Sequence, residues 1–305
     1  MTAALWLAPL RGVTIRAFRA AFARPIAEAG FAGAFAPFIP ANPGLRVSDR
    51  LLADLAPFPS AARPARPLVP QVITKDPDAL RTLLRGLRER GFDRADLNAG
   101  CPFPMIRRRG RGAGLLRTPD LLERLLAAGC DEMGPGRFSL KTRLGLERPD
   151  ELAALLPRIN RYPLAALTVH ARTARQMYAG ACDLAAFRAV AAASANPVMY
   201  NGDWAWGDPR PSPLVMVGRA FVRALGARED VQARLADYLE ISCAELSGDR
   251  PVLGRMKELI AYWTESPRWR RLWPLVKICR TVDELRSVVS GLGPAAPTLP
   301  RADAP

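Results

Sequence analysis

What most constrains this chain is an alternation. Short apolar or β-branched runs recur along roughly the first 220 residues, and amphipathic helical patterns lie between them. The runs fall at 5–10, 33–39, 68–73, 95–99, 138–143, 166–170, 197–201 and 214–217. The clearest helix spans 76–91: Asp76 can cap it, Pro77 sits at its first position, Gly91 stops it, and Leu80, Leu83, Leu84 and Leu87 share one face. A second, 118–129, repeats the scheme with Thr118, Pro119 and a Leu face. Eight strands alternating with helices imply a parallel sheet, and eight is the number that closes into a (β/α)8 TIM barrel. An open doubly wound sheet is the alternative. The barrel is favoured because polar residues follow nearly every strand: Asn98 and Cys101, Lys141 and Arg143, His170, Asn201 and Asp203, Gly218 and Arg219. On a barrel those ends meet at one mouth.

Two segments break the alternation. Between the seventh and eighth strands the run WAWGDPRPSP has too much Pro to make a crossover helix, so that helix is expected to be missing and the wall patched by Trp204 and Trp206. After Arg219 the pattern is helical only. The expected organisation is therefore an α/β barrel over 1–225, an all-helical domain over 226–290 and a Pro/Ala-rich disordered tail over 291–305. No apolar run reaches membrane-spanning length, and the N-terminus lacks the cationic start of a secretory signal, so no membrane association is expected.

With 44 Lys and Arg against 29 Asp and Glu, the formal charge is +15, which favours a polyanionic partner. Only four of those 44 cations are Lys, and an Arg bias that uniform also arises from base composition. Five scattered Cys without a CxxC pair suit a reducing cytosol better than disulfides or a metal site, and no metal is expected.

Three residues stand out chemically. Cys101 follows a strand in a Gly- and Arg-rich loop; alone it reads as a small buried hydrophobe, but such a loop makes a poor core element. His170, the only histidine, ends a strand beside Arg172, where a structural role is the usual alternative. Lys141 is retained against the Arg bias, by chance or because a compact cation is needed. Gly218 and Arg219 after the last strand stand where barrels bind phosphate, a weak signal alone.

The runs LAPLRGVTIRAFR, QVITKDPDAL, DLNAGCPFPMIRRRGRGAGLL, LKTRLG, LTVHARTARQMYAG, VMYNGD and VGRAF occur in an order that resembles the tRNA-dihydrouridine synthases. The resemblance covers residues 5–225 closely, and the helical end also looks like that family's C-terminal domain. The NGDWAW run leans toward the bacterial subgroup acting on position 16 of tRNA. Leu10, where the family usually has Met, and the clipped connection before the last strand are departures.

The resemblance implies an FMN enzyme that uses NADPH to reduce the C5–C6 bond of a uridine in tRNA. It implies that Pro9, Leu10 and Gln71 line the flavin ring, with Lys141 and His170 facing it. Asn201, Gly202, Asp203, Gly218 and Arg219 would hold its ribityl chain and phosphate. Cys101 would give a proton to C5 while hydride reaches C6 from flavin N5, and Asn98, Arg143 and Arg172 would bind the substrate. The base must be flipped out to be reached. Between 251 and 290, eight Lys or Arg against four acids are interleaved with Tyr262, Trp263, Trp269 and Trp273. Each Trp reads first as a core anchor, and Arg268–Arg271 as the better RNA contact. A cytoplasmic monomer is expected. Two rivals remain: a degenerate barrel binding RNA without catalysis, and a flavin barrel reducing small enones.

Overall fold

Parallel pairing needs a crossover between successive strands, and the helices supplied by the amphipathic segments provide it. The computed structural model describes residues 4–55 and 67–290. The strands are β1 (Ala4–Leu7), β2 (Phe31–Phe35), β3 (Ile39–Pro40), β4 (Leu68–Val69), β5 (Gln71–Ile73), β6 (Ala95–Ala99), β7 (Phe138–Gly145), β8 (Leu167–Thr173), β9 (Val198–Asn201) and β10 (Leu214–Val217). All pair parallel in the order β3-β5-β6-β7-β8-β9-β10-β1-β2-β4.

Ten strands make eight passes. The expected second and third strands are each interrupted, at residues 36–38 and at Pro70, which has no N–H to give to a ladder. β2 pairs with β4 and β3 with β5, so both outer ends of the order belong to one pair of neighbouring passes. The ring closes as a TIM barrel.

Asp76 caps the helix Pro77–Glu89, its carboxylate accepting from the N–H of Asp78 and Ala79 at 2.9 Å each, and Gly91 follows at φ +84°. The next helix runs further than expected, Pro119–Met133, and ends at Gly134 with φ +89°. Gly129 does not stop it. A Cβ there would lie 2.0 Å from the Phe138 ring, so the glycine lets helix and strand touch.

Residues 202–213 hold no helix, and the Trp patch is present. Trp204 is buried 5.4 Å from Trp206, which packs edge-on to Phe31 at 6.1 Å and against Phe221 at 6.0 Å.

Four helices follow the barrel's last one (Arg219–Leu225): Val231–Glu245, Asp249–Ala261, Pro267–Ile278 and Val282–Ser290. They share a continuous apolar core with the barrel. Trp263 Nε1 donates to the Val222 carbonyl at 2.7 Å, Trp269 Nε1 donates to the Gly226 carbonyl at 2.9 Å, and Phe18 meets Tyr238 edge-on. Trp263 and Trp269 are thus core anchors, while Arg270 and Arg271 are exposed. The expected tail, 291–305, lies outside the described residues. No described helix is long and apolar enough to cross a membrane.

Candidate active site

Strand side chains alternate between the barrel interior and the helices outside. On β6, β7 and β8, the outward Leu97, Leu140, Leu167 and Val169 join the apolar core. That leaves Asp96, Asn98, Ser139, Lys141, Arg143 and His170 for the interior. Register makes them neighbours: Asn98 pairs with Lys141, Arg143 with His170, and His170 with Asn201. Ala8, Phe35, Val69, Met199 and Met216 fill the opposite side, with Trp6 against them.

The mouth is a cavity of about 660 Å3. Pro9, Leu10, Asn98, Cys101, Lys141, Arg143, His170, Asn201, Gly202, Asp203, Gly218 and Arg219 all line it. Twelve of the fourteen expected residues therefore converge. The other two do not line it. Gln71 is fully buried in the interior, donating to Asp96 at 2.7 Å and accepting from Asn98 at 2.8 Å. Arg172 is buried as well, ion-paired with Asp203, donating to the Gly180 carbonyl and lying 3.0 Å from Cys182 Sγ. The polar atoms of both are engaged by protein partners. Each supports a neighbour that does line the cavity.

Cys101 sits in a tethered loop. The Asn98 side-chain carbonyl accepts the N–H of Gly100 and of Cys101, at 3.1 and 2.9 Å. Asn98 in turn hangs on Gln71, and Gln71 on Asp96, whose other oxygen accepts from Ser139 at 2.6 Å. The Gly-rich stretch behind the thiol is not an open loop; it folds into a short helix (Pro104–Arg107) and a 3-10 segment (Gly112–Arg117). Gly112, at φ +55°, passes so close that a Cβ would stand 2.8 Å from the Cys101 Cβ. Burial pushes the thiol's pKa above its ordinary value, so it stays protonated at neutral pH.

Cations crowd the mouth. Lys141 Nζ donates to Asn201 Oδ1 at 2.7 Å, and burial, with Arg143 adding to it, lowers its pKa to about 8. Arg143 spans the carbonyls of Gly100, Thr173 and Met177 at 2.7–2.9 Å, and burial brings it down to about 10, so it stays charged. Burial and four surrounding cations hold His170 well below the ordinary imidazole value, leaving it neutral. Asp203 pairs with Arg172 and stands 3.7 Å from Arg219; no described carboxylate pairs with Lys141 or Arg143. Such a site suits an anion.

A flavin nucleotide fits what is present. Gly218 opens a cradle at the end of β10, where a Cβ would stand 3.1 Å from the Ala8 Cβ and 3.3 Å from Leu10. Pro9 and Leu10 offer an apolar wall, and Lys141 and Arg219 offer charge for a phosphate and an electron-rich ring edge.

Further lining residues include Tyr178 and Glu258, which no sequence argument named, and Tyr262, which was expected only among the aromatics of the helical end. Tyr178 lies within the quoted LTVHARTARQMYAG run, a signal that was available. It follows Met177, whose φ of 51° is rare for a side-chain-bearing residue. Its ring lies under the guanidinium groups of Arg219 at 4.6 Å and Arg143 at 5.4 Å. Glu258 and Tyr262 come from the third-last helix and its C-terminal cap, with no local signal in the sequence.

The family model for dihydrouridine synthase (Dus) matches residues 6–208. The chain belongs to the dihydrouridine synthase family. Among curated relatives, the probable tRNA-dihydrouridine synthase 2 of Bacillus subtilis (strain 168) is 34% identical over 112 residues, covering 37% of this chain and 34% of that protein. A probable tRNA-dihydrouridine synthase of Staphylococcus epidermidis is 32% identical over the same length, with the same coverage. The matched region thus spans about a third of these relatives. Among solved structures, morphinone reductase in complex with tetrahydroNAD superposes with a TM-score of 0.51 at 10% identity, covering 76% of this chain and 85% of that one. A variant of NCR from Zymomonas mobilis gives 0.52 at 13%, covering 78% and 86%. These two show the fold.

Proposed function

We propose that this dihydrouridine synthase family member reduces a uridine of tRNA to 5,6-dihydrouridine, with FMN as cofactor, NADPH as reductant and Cys101 as proton donor. The observation that carries the reading is a protonated thiol on the wall of a cation-rich cavity, held there by the chain Asp96–Gln71–Asn98. The names of the relatives support the same activity.

The chemistry FMN supplies when bound is hydride delivery to C6 of the uracil. The chain's own residues do the rest. Cys101 Sγ releases its proton to C5, a task that suits a thiol kept neutral until a carbanionic carbon forms beside it. Asn98, with one amide hydrogen left beyond its bond to Gln71, and Arg143 hold the uracil edge. Lys141 and Arg219 hold negative charge on the cofactor, and Asn201, Gly202 and Gly218 shape its cradle. Arg172 acts at one remove, by fixing Asp203. The helical region and the net positive charge grip the RNA from which the base is flipped, and the enzyme works as a cytoplasmic monomer.

The test uses full-length protein reconstituted with FMN. Cys101→Ala should keep the flavin spectrum and tRNA affinity and lose dihydrouridine formation by roughly 10²–10⁴-fold, the usual contribution of a general acid. A Cys101→Ala enzyme of wild-type activity overturns the assignment of the acid. Wild-type protein that never binds FMN overturns the cofactor, and FMN-loaded protein that leaves tRNA uridines unreduced overturns the substrate. Mapping by mass spectrometry in a deletion strain is expected to show loss at position 16.

A further inference from the structure

Beside the mouth lies a second cavity of about 830 Å3, within the roughly 300–1,000 Å3 range of small-molecule pockets. It shares Arg11, Phe103 and Glu258 with the first, so the two are continuous around the Cys101 loop. Its surface is unusual for this protein. Phe103 is 46% exposed and Met105 64%, among few large apolar side chains left in the open. Several surface arginines are neutralised by ion pairs, such as Arg81, Arg85, Arg158 and Arg286. Among the described residues, Arg11, Arg108 and Arg109 have no carboxylate in ion-pair range.

A flat apolar platform edged by free guanidinium groups has the chemistry of a nucleotide site: a base face stacks on the ring, and the phosphate meets the fork. Spacing adds to this. Phe103 is two residues beyond the thiol, at the seam of the two cavities. Gly12, at φ +78°, lacks the Cβ that would fall 2.6 Å from Glu258, and this lets the helical region's carboxylate close the seam. A carboxylate there disfavours phosphate and accepts from a sugar hydroxyl or base N–H. The backbone would therefore run along the Arg108–Arg109 rim.

We propose that this groove holds the nucleotide next to the target uridine, its base stacked on Phe103 and Met105 and its phosphate held by Arg108 and Arg109. The proposal rests on the reading of the main cavity as a tRNA-uridine site. It assigns the platform a role in flipping: a neighbouring base that has somewhere to stack lowers the cost of leaving the RNA stack.

The test compares FMN-loaded wild type with Phe103→Ala and with the double variant Arg108→Ala/Arg109→Ala, on tRNA and on tRNA carrying an abasic residue at either neighbour of the target. Phe103→Ala is expected to raise the KM for tRNA roughly tenfold, the scale of one base–aromatic stack, with kcat within about twofold and NADPH KM unchanged. The abasic tRNA should lose a similar factor on wild type and nothing more on Phe103→Ala. The double arginine variant should raise the tRNA KM and flatten its salt dependence. Unchanged tRNA KM in both variants overturns the proposal. So do additive losses from Phe103→Ala and the abasic residue, a rise confined to the NADPH KM (a dinucleotide occupant), or a dimer that Phe103→Ala dissociates. FMN-loaded wild type that reduces no tRNA is the different failure: it overturns the reading of the main cavity, and this proposal with it.

Discussion

Lys141 shows how one residue's identity follows from its surroundings. An ammonium there hydrogen-bonds Asn201, and burial, with the Arg143 charge adding to it, lowers its pKa from 10.5 to about 8. The sign has two consequences. Between pH 8 and 10.5 the unfolded chain binds the extra proton, so this group makes the cofactor-free protein more stable as pH rises through that window. Anion binding does the reverse: it favours the charged form, so affinity is greatest below pH 8 and falls as pH rises through that value. FMN titrations by fluorescence quenching should therefore weaken steadily above pH 8 in wild type. Lys141→Met should bind more weakly at neutral pH, with a flat profile. A wild-type affinity that stays level across this range counts against Lys141 as the anion's partner. Gly112 makes the complementary point, since its identity is set by the Cys101 Cβ packed against it and by its positive φ.

At the scale of elements, the connection after β9 is the informative one. A crossover helix would have covered the wall between β9 and β10; Trp204 and Trp206 cover it instead, Trp204 also donating from Nε1 to the Asp208 carbonyl at 3.1 Å. Trp204→Ala should cost about 3–5 kcal/mol, the range for deleting a buried Trp. It should also weaken FMN binding, because the same side chain lines the cavity. Urea unfolding of the apoprotein checks the first effect, and a midpoint unchanged from wild type would refute it. The helix Pro119–Met133 shows a limit of reading elements alone: a glycine inside a helical run looks like a stop until the ring it accommodates is seen.

At the scale of the whole molecule, barrel and helical region share one apolar core. Phe22 packs against both Tyr238 and Trp263, and the buried Trp263 N–H donates to the Val222 carbonyl of the barrel's last helix. Removing 226–305 would uncover that face. The truncated barrel is expected to aggregate rather than fold, so size-exclusion chromatography of the fragment should find no monodisperse species. A well-folded barrel with normal thermal unfolding would show that the helical region is a separable clamp.

Much was legible along the chain because it depends on neighbours in sequence. The alternation, the Asp76 cap and the helix-free Trp connection are local, and residues after successive parallel strands must share one end of a barrel, so most of the mouth could be named from the sequence. What lay out of reach is set by register and close approach between distant segments. Gln71 and Arg172 occupy strand positions much like their neighbours', yet the partners that satisfy them come from other passes. Asp96 is fully buried and its pKa is pushed to about 6 by that burial, an environment with no trace in the linear pattern. Glu258 enters the mouth only because Gly12 leaves room. Periodicity says which way a side chain leaves its strand; only the folded ring decides what it meets, because those contacts are fixed by how eight passes and four further helices pack together.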